Sequence, residues 1–491
     1  MHFHKLALYP SIAAAAITLA SCASSYQAEN AASAQHAAAP YRTDKPLLQL
    51  QQEFVDLRFG MFVHYNMATY QDREWGDPRG STEAFNPTRL DTDQWADCAV
   101  NAGMTFGCLT TKHHDGFCLW PTKSGGDSIL KTPGKIDVVK AYTDSFRKRG
   151  LKVGLYYSIL DLRGDIRHHN VTPAKIARIK QEITELLTNY GEINILIFDG
   201  WDAPWSRFTY EEVSFSEIYA LVKKLQPNCL ISELNASEYA PSALYYTDIK
   251  AFEQNAGQEL PEQSSIPAQS CVTLTDGWFW KQSDEHAKLK SAKQVVDEWL
   301  RPQNARHCNL ICNAAPNREG RFSDNMVARL REIGDLLKKK PLAPAPKIGP
   351  SINITTTNLA TGRPIRAIDS ADTYGPDMAN DGKFGNSWYL PEGEKEGWLE
   401  IDLAPGTTFN TLTLAEPIGR WRDYRKTRLA RYRFEALDGA TGQWRELIAA
   451  NSTDPVRIHK ITPTNATKLR ITLWPSADTP HISEVGIYNE P

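Results

Sequence analysis

The chain has 491 residues, with 55 Lys and Arg against 58 Asp and Glu, a net charge of −3. At roughly 150 residues per domain this length holds two large or three ordinary domains. The even charge balance excludes a broad basic surface for nucleic acid or anionic membrane. Hydrophobic residues make up 41%, enough for a packed core, and 13 Trp in a nearly neutral chain fit flat apolar surfaces of the kind on which sugar rings stack.

Residues 1–22 read as an export signal, with Lys5 ahead of an Ala-rich apolar run too short for a good membrane span. Its end, Leu19-Ala20-Ser21-Cys22, resembles the bacterial lipobox. That resemblance implies cleavage before Cys22, a lipid on Cys22, and anchoring in the cell envelope of a Gram-negative bacterium, in the periplasm or at the surface. Residues 23–44, rich in Ala, Ser and Gln, read as a flexible tether. Seven further Cys lie before residue 313; an odd number forbids complete pairing, and most sit in apolar runs as small core residues.

From residue 45 to 338, short apolar runs alternate with helical patterns. Strands are predicted at 59–65, 105–112, 152–158, 193–199, 229–233, 245–251, 272–279 and 309–314. Helices are predicted at 92–102, 138–149, 173–190, 214–225, 291–300 and 323–338. Eight strands with intervening helices point to an α/β fold, a parallel sheet closed into a (β/α)8-type TIM barrel. A Pro-rich linker occupies 339–350, and after it short alternating strands over 351–491 indicate an antiparallel β-sandwich.

Reactive groups of such a barrel belong at the C-terminal ends of its strands. Those ends here are polar: His64-Tyr65-Asn66, His113-His114-Asp115, Tyr156-Tyr157-Ser158, Asp199-Gly200, Ser232-Glu233 and Asn313. Asp199 closes the buried run Ile193 to Phe198, where a carboxylate is costly to desolvate. Glycoside hydrolysis requires two carboxyl groups, and the second has five candidates: Glu233, Glu238, Glu253, Glu259 and Glu262. Two adjacent His cannot both face the lumen unless the strand ends or bulges before them, so one is expected behind the other.

The segments Phe59-Gly60-Met61-Phe62-Val63-His64, Glu74-Trp75, Lys112-His113-His114-Asp115-Gly116-Phe117, Tyr156-Tyr157-Ser158 and Phe198-Asp199-Gly200, in this order, resemble the α-L-fucosidases of glycoside hydrolase family 29. The resemblance implies an exo-acting retaining enzyme that releases terminal α-L-fucose from a glycan or glycoconjugate. Asp199 would be the nucleophile and Glu253 the acid/base, with Glu233 as second choice. His64, Glu74, Trp75, His113, His114 and Tyr157 would bind the sugar, and Trp201, or alternatively Trp205, would supply an aromatic wall. No cofactor and no metal in the catalytic site are implied. Ile197 and the Leu234-Asn235 pair depart from the family pattern, where a Trp and an Arg are common, so a related α-L-galactosidase activity stays open. A non-hydrolytic glycan-binding protein is the reading from a different class.

In the second part, Asn358-Leu359-Ala360, Asn380-Asp381-Gly382, Trp398 to Leu403 and Ile482-Ser483-Glu484-Val485 resemble a discoidin (coagulation factor type C-like) sandwich. That implies a structural calcium near the Asn-Asp-Gly turn, and either sugar binding or a buttress for the barrel. Trp398 reads as core, while Trp388 and Trp421 lie in loop-like sequence and are expected to be exposed.

Overall fold

The computed structural model describes residues 45–491, apart from 237–242, 263, 372, 384–385, 418–426, 440, 453–454 and 477. The export signal, the tether, Cys22, Glu238 and Trp421 lie outside the described residues.

Strands β1 (Phe59–Val63), β2 (Phe106–Lys112), β3 (Lys152–Ser158), β4 (Ile195–Asp199), β5 (Leu230–Glu233), β7 (Ile249–Glu253), β8 (Ala268–Thr273) and β9 (Cys308–Asn313) form a closed parallel barrel. β6 (Ala243–Tyr245) leaves it to pair with β10 (Ile352–Ile354), the first strand beyond the Pro-rich segment. The sixth predicted strand thus merges two strands that serve different sheets. The seventh strand begins at Ala268, four residues earlier than expected, because the lumen there is polar: Gln269 donates to Ser232 Oγ at 2.9 Å, which breaks the apolar run expected of a buried strand.

Helices cover the barrel where the periodicity put them, at Thr92–Asn101, Val138–Lys148, Pro173–Asn189, Phe215–Leu225 and Asp324–Lys339. Asp91, Asp137, Thr172 and Ser214 cap the first four through side-chain oxygens that accept backbone N–H groups. A further helix, Leu47–Leu57, precedes β1, and its Leu50 and Phe54 join Phe62, Phe106, Cys108, Tyr156, Ile195, Ile197, Ala251 and Cys271 in one apolar cluster. The seven Cys of the described chain are buried and unpaired.

Residues 341–350 have no regular structure but are strapped to the barrel. Arg301 and Arg58 donate to the Pro341 and Ala343 carbonyls, and Gln52 holds both Pro346 and Ile348. Beyond them β11 (Ile365–Ala367), β13 (Gly397–Asp402), β15 (Leu429–Leu437), β16 (Trp444–Asn451) and β18 (Lys468–Pro475) make a five-stranded antiparallel sheet. β14 (Thr408–Ala415), β17 (Val456–Asn465) and β20 (Glu484–Tyr488) make a three-stranded one. Leu399, Ile401, Leu412, Leu414, Phe434, Ile471 and Ile487 fill the space between them. A two-stranded pair, β12 (Trp388–Tyr389) with β19 (His481–Ile482), lies beside them.

Two Trp expectations are corrected here. In β13 the core positions are Leu399 and Ile401, so Trp398 faces the other way, half-buried under the Arg470 guanidinium. Trp388 is fully buried and donates to the Asp369 carbonyl at 3.0 Å; it is core, not an exposed loop residue. Ala415, Val456 and Tyr488 of the sandwich belong to the main hydrophobic cluster of the barrel.

Candidate active site

The strand ends converge on one cavity of about 540 Å³, the solvent at its mouth included. His64, His113, His114, Tyr156, Asp199, Leu234, Glu253 and Cys271 line it from the barrel, and Glu74, Trp75, Trp205 and Trp278 from the loops above.

Asp199 ends β4 in phase with Ile195 and Ile197, which place it on the inner face. Gly200 follows at φ +108°, where a Cβ would come within 3.2 Å of Leu160 N; a side chain there would be strained and crowded. The Asp199 carboxylate accepts from Tyr156 Oη at 2.7 Å (Oδ2) and from Asn235 Nδ2 at 3.2 Å (Oδ1). Burial pushes its pKa up to about 6, against the pull of Tyr156, Asn235 and the Gly200 amide.

The β2 end explains the His pair. Register slips between Thr110 and Lys112, and the strand stops at Lys112. Both His113 and His114 therefore reach the cavity, contrary to the expectation that one lies behind the other. Lys112 points outward, where Tyr157 and Glu182 receive its ammonium.

The three imidazoles are neutral. Burial lowers His64 and His114 to about 3 and His113 well below its ordinary value. Their tautomers follow from their partners. The Ser158 hydroxyl donates to Leu160 O, so it accepts from His114 Nδ1, leaving His114 Nε2 an acceptor 3.6 Å from Asp199 Oδ2. Asn313 spends its amide N–H on Trp278 O and accepts from His64 Nδ1 at 2.7 Å, leaving His64 Nε2 an acceptor as well. His113 Nδ1 is buried with no hydrogen-bond partner among the described residues. Such groups suit the hydroxyls of an uncharged ligand.

Aromatic rings form one wall. Trp75 and Trp205 cross edge to face with centroids 5.1 Å apart, and both rings touch His114. Trp278 leans on His64 at 4.8 Å. Glu74 reaches the rim because Gly277 has no side chain: a Cβ there would fall 2.0 Å from Glu74 Oε1. Glu74 accepts from Trp278 N and pairs with Lys281.

Two expected sugar contacts are displaced by one strand phase or one loop turn. Tyr157 points away from the lumen into the Lys112 and Glu182 cluster, and Tyr156 takes its place beside Asp199. Trp201 is fully buried, donates to Val213 O and packs on Phe198 and Phe215; Trp205 holds the wall position. Of the carboxyl candidates, Glu253 lines the cavity, while Glu259 and Glu262 are exposed. Glu233 does not line it: Ser232 has the inner phase, and Glu233 accepts from Tyr210 Oη and the amides of Asn235 and Ala236. Burial pushes Glu233 up to about 8, and the charge of Asp199 adds to that rise. At neutral pH the negative charge of the pair therefore rests on Asp199. Trp278 is not among the residues expected at the site, while Tyr156 is expected there only as part of a polar strand end, and Leu234 and Asn235 only as a departure from the family pattern. The register Tyr156↔Ile197 carries the signal for Tyr156, since Ile197 shares the phase of Asp199.

A closed parallel barrel with Asp199 and Glu253 in one aromatic-walled cavity at its C-terminal rim, and Glu74 tied to Lys281 above them, has the architecture of a glycoside hydrolase. The α-L-fucosidase family model matches residues 25–341. The chain belongs to the α-L-fucosidase family. It is 26% identical over 457 residues to alpha-L-fucosidase 1 of Arabidopsis thaliana, covering 87% of this chain and 84% of that protein. Among solved structures, a glycoside hydrolase 29 family member from an unknown rumen bacterium is similar at TM-score 0.51 and 26% identity, over 90% of this chain and 77% of that one. A Ruminococcus gnavus GH29 fucosidase in complex with fucose shares the fold at TM-score 0.50 and 19% identity, over 92% and 96% of the two chains.

Proposed function

We propose that the protein is an exo-acting retaining α-L-fucosidase that removes terminal α-L-fucose from glycans. The observation that carries the reading is the placement of Asp199, ionised above about pH 6, and Glu253 in the one cavity. In the first step Asp199 Oδ attacks the anomeric carbon while the Glu253 carboxyl gives its proton to the departing glycosidic oxygen, leaving a glycosyl-aspartate ester. In the second step Glu253, now a carboxylate, takes a proton from water, the hydroxide adds at the anomeric carbon, and the ester C–O bond breaks to return Asp199. Tyr156 and Asn235 hold the attacking carboxylate, the neutral His64, His113 and His114 bind ring hydroxyls, and Trp75 with Trp205 cover the sugar. The fucose held by the Ruminococcus gnavus relative points the same way.

Initial rates on aryl α-L-fucoside and aryl α-L-galactoside test this. The account expects the fucoside to be preferred and Asp199→Asn to lose more than a thousandfold in kcat. A preferred galactoside would reassign the sugar, and glycan binding without turnover would make the protein a lectin.

Outside the cavity, we infer that Cys22 carries the lipid anchor of an exported protein, from the Leu19-Ala20-Ser21-Cys22 sequence. Fatty-acid labelling that persists in Cys22→Ser would refute it. We also infer that the C-terminal region is a discoidin-like domain with a structural calcium beside Asn380-Asp381-Gly382. What supports a hard cation there is Glu484, 2% exposed, with no side-chain partner for its Oε2 among the described residues and with Asp381 within electrostatic reach. The ion would fix that turn and take no part in the chemistry.

A further inference from the structure

Glu233 is a fully buried carboxyl on a barrel strand whose side chain does not enter the cavity, and the reaction above leaves it without a role. Its surroundings are nonetheless specific. Oε2 accepts from Tyr210 Oη at 2.8 Å, from Asn235 N at 3.0 Å and from Ala236 N at 2.7 Å. Oε1 accepts from Asn235 Nδ2 at 3.2 Å. The same Nδ2 donates to Asp199 Oδ1 at 3.2 Å. Asn235 thus stands between two carboxyl groups, and only its NH2, with two hydrogens, satisfies both acceptors. Asn235 occupies the region after β5 where the resembled family commonly carries an Arg.

We propose that Glu233 is a positioning residue for Asp199, acting through Asn235: it fixes the Asn235 amide with its NH2 toward the attacking carboxylate. The proposal rests on the fucosidase reading for its kinetic test and on geometry alone for its structural one. Two links hold Asn235. The backbone link, from Glu233 Oε2 to the amides of Asn235 and Ala236, sets where the loop leaves β5. The side-chain link, from Oε1 to Nδ2, sets which way the amide faces. Tyr210, buried and stacked on Tyr246 at 3.8 Å between centroids, holds Glu233 in turn. The arrangement orients Asp199 with a neutral donor, where an Arg would place a full positive charge beside the nucleophile.

Glu233→Gln discriminates because the replacement is nearly isosteric. The three donors at Oε2 demand a carbonyl there, so the proton of neutral Glu233 sits on Oε1, whose lone pair still accepts from Asn235 Nδ2; the NH2 of Gln has no such lone pair and meets Asn235 Nδ2 donor against donor. The Asn235 amide then turns over and presents its oxygen to Asp199. On aryl α-L-fucoside we expect Glu233→Gln to lose about 10- to 100-fold in kcat with KM changed by less than about threefold, because Glu233 does not line the cavity. Asn235→Ala is expected to lose a similar factor. The double variant is expected to be no worse than Asn235→Ala, because residues acting in series do not add. Tyr210→Phe should give a smaller loss that also vanishes in the Asn235→Ala background. Multiplying losses in the double variant, or unchanged kcat in a folded Glu233→Gln, would overturn the proposal. Should the parent protein fail to hydrolyse the fucoside, the fucosidase reading falls, and the crystal structure of Glu233→Gln decides the pairing. An Asn235 amide rotated away from Asp199 supports it, and an undisturbed one refutes it.

Discussion

Tyr156 and Tyr157 are chemically identical neighbours on β3 whose hydroxyls both meet a carboxylate, Asp199 in one case and Glu182 in the other. Only the first faces the cavity. Tyr156→Phe removes a donor that stabilises ionised Asp199, so kcat is expected to fall about tenfold and the acid limb of the rate profile to move to higher pH. Tyr157→Phe leaves the Lys112 and Glu182 pair one partner short in a fully buried site. It is expected to cost about 1–2 kcal/mol of stability, read as a lower Tm, with kcat unchanged. The pH dependence follows from Asp199 itself. Burial raises its pKa to about 6, and the proposed nucleophile is the charged form, so kcat/KM should fall about tenfold per pH unit below that value. His64 and His114, held near 3, stay neutral throughout this range and do not supply that limb. Because burial makes ionised Asp199 the costly form, the fold gains stability as pH falls through about 6, and Asp199→Asn is expected to keep or raise the Tm at neutral pH.

At the scale of the element, phase decides which residue of a pair reaches the site. The closed barrel, its helices and the polar strand ends were legible in the sequence, because apolar runs and caps are local signals and the lumen imposes a common period on them. Phase within a run buried on both faces is not local. In Leu155-Tyr156-Tyr157 nothing in the sequence states which face meets the lumen, and the expected contact, Tyr157, is one residue out of phase. Trp398 differs: Leu399 and Ile401 alternate with Glu400 and Asp402, so the sequence already puts Trp398 on the polar face, and its expected core place ignores that period. The two His of 113 and 114 depend on a strand that slips and stops, and Trp201 against Trp205 depends on one turn of a loop. Glu253 lines the cavity at the end of a strand that starts at Ile249, four residues later than expected. Loop docking gives a test at this scale. Gly277→Ala puts a methyl where Glu74 Oε1 sits and should push the Glu74-Trp75 segment off the rim. KM on aryl α-L-fucoside is expected to rise about tenfold with kcat little altered.

Over the whole molecule, the barrel supplies the chemistry and the sandwich braces it. β6 pairs with β10, and Tyr488, Ala415 and Val456 extend the barrel's apolar cluster, so loss of order in the sandwich reaches the loops that follow β5. If calcium sits beside Asp381 and Glu484, chelation should lower the Tm and added calcium should restore it, while Glu484→Gln should remove that dependence. A Tm indifferent to chelator and calcium would exclude the ion. The central claim is that Asp199 attacks the anomeric carbon and Glu253 completes a double displacement. Proton NMR of the sugar first released from an aryl α-L-fucoside, recorded before mutarotation, tests it most directly. The account requires α-L-fucose as the initial product, with no release by Asp199→Asn. Initial β-L-fucose, or release undiminished in Asp199→Asn, would contradict it.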